Sequence, residues 1–189
     1  MIPVLIEEGK LKEGVRGIEY WKGWIDGVCN NTGNYLKGFY WYLEYPWQIH
    51  DNIVSEDDIR EISDYIKKKR LQFIWIPYVH DGIDPDKTDI KSIANYFTHV
   101  FLQSNYYQGK TQNLDKWYNE VLLHLRNEYN LSNLYMELEC DSGVKSDKEY
   151  KEKACKYAKY AKNFPYRAYY YDTNIQNVIE MKNYCDGYI

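Results

Sequence analysis

Segments with the hydrophobic spacing of strands and of helices alternate along this chain of 189 residues, about every 30 residues. The predicted strands span residues 3–7, 36–44, 72–78, 99–103, 133–140 and 166–171. Helical spacing is found between them, at residues 18–28, 55–70, 88–97, 113–126, 146–161 and 173–181. Alternation with short connections is typical of βαβ units around a parallel sheet. The sequence therefore predicts the α/β class.

Within that class we predict a compact or incomplete TIM-like (β/α) barrel with parallel strands, and an open α/β sheet is the alternative. Residues 186–189 are a candidate seventh strand, but a full barrel of eight strands needs about 200 residues or more. Neither the glycine fingerprint of dinucleotide-binding folds nor a P-loop or a G-x-S-x-G elbow is present, so no cofactor is predicted. Residues 1–189 are predicted to form a single β/α barrel-like domain.

The segment 134–139 alternates without a break between two kinds of side chain. Met136 and Leu138 point to one face, whereas Tyr135, Glu137 and Glu139 point to the other. In a β/α barrel the apolar face lies under helices and the other face turns toward the barrel mouth. Glu137 lies about 6.5 Å deeper along the strand than Glu139. We therefore predict a functional role for Glu139 and a structural, hydrogen-bonded role for Glu137.

Polar side chains close five successive predicted strands, and the active sites of β/α barrels are built at such strand ends. These side chains are Glu44, then Tyr78 and His80, then Gln103 and Asn105, then Glu137 and Glu139, then Tyr171 and Asp172. Glycoside hydrolysis uses two carboxyl groups, one as acid and one as nucleophile or base. We predict Glu139 and Glu44 in these roles.

The other predicted site residues would bind the sugar. Gln103 and Asn105 are expected to bind hydroxyl groups, because amides donate and accept hydrogen bonds. Trp41, Trp75 and Tyr106 are expected to stack on sugar rings. Tyr78, Glu137 and Asp172 complete the predicted substrate-binding set. A calcium or magnesium site of Glu44, Glu137, Glu139 and Asp172 is less favoured, so no metal is predicted.

Composition bears on the partners. Aromatic residues make up 17% of the chain, with 22 tyrosines and six tryptophans, and such rings fill cores or stack on sugars. The net charge of −4 and the pI near 5.6 leave no basic footprint for nucleic acid. We therefore predict a carbohydrate partner, with no nucleic acid and no membrane.

The cysteines and the start of the sequence bear on the compartment. Cys29, Cys140, Cys155 and Cys185 form no C-x-x-C pair, and free buried thiols are favoured over two disulfides. The first residues lack the basic and apolar regions of a signal peptide. The chain is therefore predicted to be cytoplasmic, although a secreted protein without its signal would look the same.

Four short motifs in series carry a resemblance to a known family. They are G-F-Y-W at residues 38–41 followed by Glu44, F-I-W-I-P-Y at 73–78, Q-S-N-Y-Y at 103–107, and E-L-E at 137–139. Over residues 15–189 the chain resembles the domain-of-unknown-function family 4855, although Ser104 and Tyr107 replace the usual proline and phenylalanine. The resemblance implies a TIM-like barrel similar to glycoside hydrolases. A non-catalytic carbohydrate-binding or assembly module on a barrel scaffold is the alternative function.

Overall fold

The computed structural model of the protein describes residues 1–4, 6–7, 10–11 and 17–186. Five strands form one sheet in the order in which they follow each other along the chain. They are β3 (Gly38–Trp41), β4 (Gln72–Trp75), β5 (His99–Leu102), β6 (Leu134–Glu139) and β7 (Ala168–Tyr170). The pairings are parallel, as between Phe39 and Phe73 and between Leu138 and Tyr169. A separate antiparallel hairpin consists of β1 (Ile6–Glu7) and β2 (Lys10–Leu11).

Helices precede, connect and follow the strands of the sheet. They are α1 (Ile18–Thr32), α2 (Glu56–Lys68), α3 (Ile90–Ile93), α4 (Leu114–Trp117), α5 (His124–Glu128), α6 (Ser142–Ser146), α7 (Lys148–Ala161) and α8 (Gln176–Asp186). A π-helical turn, Tyr118–Leu123, joins α4 to α5. Parallel strands in sequential order with helical crossovers confirm the predicted fold class, an incomplete TIM-like barrel. No helix in the described part of the chain is long and apolar enough to cross a bilayer.

The two ends of the chain depart from the predicted strands. In place of a strand at residues 3–7, Ile2 forms an isolated parallel bridge with Trp41, while Ile6 and Glu7 belong to the hairpin. At the other end, Asp186 is the last residue of α8, and the remainder of the predicted seventh strand, 187–189, lies outside the described residues.

The chain folds into two compact units. The first comprises Met1–Pro77, Asp84–Val100 and Leu131–Asn133, and the second comprises Tyr78–Ile83, Phe101–Asn130 and Leu134–Ile189. The prediction of a single domain stays a prediction.

The first unit is built around buried tryptophans. Trp21 of α1 meets Trp41 of β3 edge to face, with 5.2 Å between ring centroids. Trp75 of β4 stacks on Phe97 at 5.3 Å. The indole N–H of Trp41 donates to Gln48 Oε1 at 2.8 Å, and that of Trp75 donates to the Leu43 carbonyl at 2.7 Å. Because the polar atom of each ring is satisfied inside the unit, both rings can be fully buried.

The close approach of β3 and β4 requires glycine at position 38. A Cβ added to Gly38 would lie 2.4 Å from the Gln72 carbonyl oxygen and 2.8 Å from Gln72 Cβ. We expect Gly38→Ala to lower the free energy of unfolding by about 1–3 kcal/mol, because the paired backbones must move apart. Urea unfolding measures this loss. The control is Gly27→Ala in α1, where the new methyl meets nothing within 4 Å and helix propensity predicts a change of opposite sign. Equal stability of Gly38→Ala and the wild type would contradict the close approach.

The second unit contains a disulfide bond. Cys155 of α7 and Cys185 of α8 are bonded, with their Cα atoms 5.0 Å apart. Cys29 and Cys140 are free. The predicted free thiols are therefore wrong for Cys155 and Cys185, because the pairing of α7 and α8 brings together two cysteines 30 residues apart. Neither cysteine spacing nor composition carries that information.

We expect the double variant Cys155→Ala and Cys185→Ala to lose about 3–4 kcal/mol of unfolding free energy, since the bond closes a loop of 30 residues in the unfolded chain. Urea unfolding with and without dithiothreitol measures this loss. The reductant should destabilise the wild type and the control Cys29→Ala but leave the double variant unchanged. Equal sensitivity of all three proteins to reductant would contradict a stabilising bond.

Candidate functional site

Glu139 is the last residue of β6, and its carboxyl is buried away from water. The side chain is 9% exposed. Among the described residues, no hydrogen bond or ion pair to this carboxyl is found, and a buried ionised carboxylate without a partner is costly. Burial first, and then the negative charge of Asp141, raise the pKa of Glu139 to about 8. At neutral pH this carboxyl is therefore mostly protonated and can donate a proton.

Asp141 is held in place two residues beyond Glu139. Its Oδ2 accepts a hydrogen bond from the Tyr107 hydroxyl at 2.8 Å, and its Oδ1 accepts one from the backbone N–H of Val144 at 2.8 Å, capping α6. Gln108 Nε2 donates in turn to the Tyr107 hydroxyl at 3.0 Å. Burial raises the pKa of Tyr107, so this phenol stays a donor. The sequence prediction missed Asp141, which an N-cap search at the end of β6 would have found.

Tyr170 lies beside Glu139 in the sheet. The two residues stand opposite each other in the parallel pairing of β6 and β7, so their side chains point to the same face. Tyr170 is 49% exposed, which leaves part of a ring surface open next to the buried carboxyl. An exposed ring beside a proton donor suits the stacking of a sugar, yet Tyr170 was absent from the predicted substrate-binding set.

Glu137 has the deeper position that the strand spacing predicted. It is 7% exposed and stands opposite Ala168 of β7 in the sheet. Burial of this kind is compatible with the structural role assigned to Glu137 and does not test it.

The predicted residues after β4 and β5 lie close together in the second unit. Tyr78 and Gln103 form an isolated parallel bridge, and both are partly buried. The Tyr78 ring stacks against His80, with 6.0 Å between centroids. The partly exposed Tyr106 ring has Lys156 Nζ at 5.9 Å from its centroid. These side chains are accessible enough to contact a ligand.

Asn105 and Asp172 have evident backbone roles. Asn105 has a positive φ of 49°, and its carbonyl accepts a hydrogen bond from the N–H of Lys110 at 3.1 Å. Asp172 has a φ of 55°, and its Oδ2 accepts from the N–H of Ser142 at 2.9 Å. Asparagine and aspartate tolerate the left-handed backbone that these turns require. The predicted contacts of both residues with sugar stay predictions.

Trp41 and Trp75, two of the predicted stacking platforms, belong to the core. Both are 0% exposed, and both indole N–H groups are used inside the first unit. No ring face is open to a ligand, so the prediction that they stack on sugar is wrong. Strand alternation gave no sign of this, because tryptophan occurs both in cores and on binding surfaces.

Glu44, the predicted second carboxylate, lies in the first unit. It is partly buried, and its Oε1 accepts a hydrogen bond from the Tyr40 hydroxyl. Its pairing with Glu139 stays a prediction. Within the ranges that the structure describes, no three His, Cys, Asp or Glu side chains come together as a metal-binding group.

Two spaces in the second unit border Glu139. A cavity of about 230 Å³ between β6, β7, α7 and α8 is lined mainly by apolar side chains such as Leu138 and Met181. A second space of about 10 Å³ touches Glu139, Tyr107 and Tyr157, which is about the size needed for one water molecule. Both are smaller than the usual ligand site of about 300–1,000 Å³.

Comparison with known proteins gives one family and one relative. The model of a family described as a domain of unknown function (DUF4855) matches residues 31–189. The uncharacterized protein MJ0957 of Methanocaldococcus jannaschii is 35% identical over 210 residues, an alignment that covers 89% of this chain and 60% of the relative. The chain thus spans about 60% of the length of that relative. No solved structure matches.

Proposed function

We propose that this chain, which belongs to the DUF4855 family, is a glycoside-hydrolase-like domain that acts on a polysaccharide or glycoconjugate by carboxylate acid/base chemistry. The observation that carries the proposal is the burial and the raised pKa of the Glu139 carboxyl. Its carboxyl is buried at a strand end, has no partner among the described residues and has a pKa raised to about 8. Perturbed acids at the carboxyl ends of barrel strands are candidates for catalysis.

In this mechanism Glu139 is the general acid. Cleavage of a glycosidic bond requires a proton on the leaving oxygen, and the donor must be protonated at the working pH. A carboxyl with a pKa of about 8 meets that condition at neutral pH, whereas an ordinary glutamic acid does not. Tyr170, on the same face of the sheet, would stack on the sugar ring next to the scissile bond.

Glu44 is proposed as the second carboxylate. The hydrogen bond from the Tyr40 hydroxyl would orient it as nucleophile or base. Gln103, Asn105, Tyr78 and Tyr106 would contact sugar hydroxyls and rings at the ends of β4 and β5.

The test is a comparison of Glu139→Gln with the wild type on neutral polysaccharides and on aryl glycosides. We expect the variant to release reducing ends about 10²–10⁴-fold more slowly. On an aryl glycoside whose phenolate leaves without protonation, the loss should be much smaller. The wild-type rate should also fall above pH 8, where Glu139 ionises.

Glu120→Gln is the matched control, because that side chain is 65% exposed and should leave the rate unchanged. A Glu139→Gln variant that cleaves as fast as the wild type would overturn the role of Glu139. Sugar binding without turnover by the wild type would favour the non-catalytic binding module.

A further inference from the structure

The first unit contains a large groove that includes none of the predicted site residues. Its volume is about 690 Å³, within the usual range of ligand sites. Tyr45, Trp47, His50 and Asp51 line one side and follow β3. Residues 86–89 and Lys91 line the other side and follow β4. The groove is therefore formed by segments that leave the carboxyl ends of two adjacent parallel strands, which is the usual location of ligands in α/β sheets.

Two aromatic rings form part of the groove wall. The centroids of Tyr45 and Trp47 are 5.4 Å apart, and their planes make an angle of 59°. Both side chains are partly exposed, unlike the fully buried Trp41 and Trp75. The hydroxyl of Tyr45 donates to Asp51 Oδ2 at 2.5 Å, which restrains the ring. Restrained rings with polar edges are suited to stacking on a flat ligand that also offers hydrogen bonds.

The segment that carries these rings is anchored to the opposite wall. Asp89 is 9% exposed, and its Oδ2 accepts hydrogen bonds from the backbone N–H of Ile49 at 2.6 Å and of His50 at 3.4 Å. The N–H of Asp89 donates to the Pro46 carbonyl at 2.7 Å. These three hydrogen bonds connect the two walls. A preformed wall lowers the entropic cost of binding.

The charges around the groove indicate which ligand it would take. Three aspartates, Asp51, Asp86 and Asp89, and two lysines, Lys87 and Lys91, are among the lining residues. This mixed set does not form the basic cluster that binds phosphate or polyuronate chains. Carboxylates, ammonium groups and an imidazole instead supply both acceptors and donors, which is what sugar hydroxyls need.

We propose that this groove binds a neutral oligosaccharide chain, with the Trp47 and Tyr45 rings stacked on sugar rings and Asp51 and His50 bound to hydroxyl groups. The inference deepens the proposed function and rests on it, since it names uncharged polysaccharides as the substrate class. The role of the groove is to hold the chain of sugars; proton transfer is not part of it.

Affinity gel electrophoresis in soluble glucan, mannan and xylan, with polygalacturonate as the acidic probe, tests the proposal. We expect at least one neutral polysaccharide to retard the wild type, with little dependence on salt, and polygalacturonate to have no effect. Trp47→Ala should weaken retardation tenfold or more. Trp24→Ala is the matched control, because Trp24 is 43% exposed on α1, outside the groove, and should bind as the wild type does. Tyr45→Phe keeps the ring, loses the hydrogen bond to Asp51 and should bind more weakly than the wild type, which provides a second variant if Trp47→Ala does not fold.

The outcomes separate this inference from the proposed catalysis. If Trp47→Ala and Tyr45→Phe both fold and bind as the wild type does, the proposal that the groove binds sugar is overturned, even if Glu139→Gln has lost turnover. Retention of binding by Glu139→Gln, together with its loss in Trp47→Ala, would support the groove. If the wild type binds neutral polysaccharide through Trp47 but never cleaves it, the proposed sugar binding by the groove is supported and the proposed hydrolase activity is overturned. Retardation by polygalacturonate alone would overturn the assignment of neutral sugars.

Discussion

Glu139→Gln is expected to be more stable than the wild type at pH 8 by about 3–5 kcal/mol, and to differ from the wild type by less than about 1 kcal/mol at pH 5. In the folded protein the pKa of Glu139 is about 8, against an ordinary value of 4.5. Between pH 4.5 and about pH 8 the folded protein therefore keeps a proton on Glu139 that the unfolded chain has already released. The stabilising effect of that proton is complete below pH 4.5 and is lost as the pH rises through about 8. A glutamine remains neutral throughout.

Urea unfolding of both proteins at pH 5, 6.5 and 8 measures this difference. The control is Glu120→Gln, whose exposed side chain should give the same pH dependence as the wild type. Parallel stability curves for Glu139→Gln and the wild type would show that the Glu139 carboxyl ionises normally, and the general-acid role would lose its physical basis. A variant that is both inactive and more stable at pH 8 would instead indicate a carboxyl retained for chemistry at a cost in stability.

Trp75→Ala is expected to lower the free energy of unfolding by about 3–5 kcal/mol, because it removes a fully buried indole and leaves a cavity. Trp75 is 0% exposed, stacks on Phe97 at 5.3 Å and donates to the Leu43 carbonyl at 2.7 Å. Loss of that donor also leaves a buried carbonyl oxygen without a partner, which adds about 1–3 kcal/mol.

The same urea titration on Trp24→Ala gives the reference for an exposed indole, where a change below about 1 kcal/mol is expected. If Trp75→Ala is no less stable than Trp24→Ala, Trp75 is not the core residue that its burial indicates. A large loss would confirm that a tryptophan whose sequence pattern predicts a sugar platform instead stabilises the core of the first unit.

Periodicity predicted the elements well and their ends poorly. The predicted strand at 72–78 ends at Trp75, and the strand at 36–44 covers only Gly38–Trp41. Strand ends depend on backbone pairing with neighbouring strands. Beyond the ends of β4 and β5, Tyr78 and Gln103 still form one isolated bridge. The helix at 55–70 was predicted nearly in full because its capping residue, acidic first turn and basic last turn are local signals.

The candidate site was predicted in part, for a similar reason. The position of Glu139 at a strand end follows from alternation alone, and the structure places it at the end of β6. Its lack of a partner among the described residues, and the nearby Asp141 that Tyr107 and Val144 hold, depend on packing. The rings of Tyr45 and Trp47 were not predicted as site residues, because they lie in a segment without periodicity. The tertiary contact between Asp89 and Ile49 places this segment against the opposite wall of the groove.

By itself, the sequence determined the α/β class, the order of strands and helices, the family and the two faces of β6, because each of these depends on local spacing or on motifs in series. The tertiary structure alone decided that Trp41 and Trp75 are core residues, that Cys155 bonds to Cys185, and that Tyr170 lies beside Glu139. Those features depend on contacts between segments that are distant in sequence, and local sequence patterns do not specify such contacts.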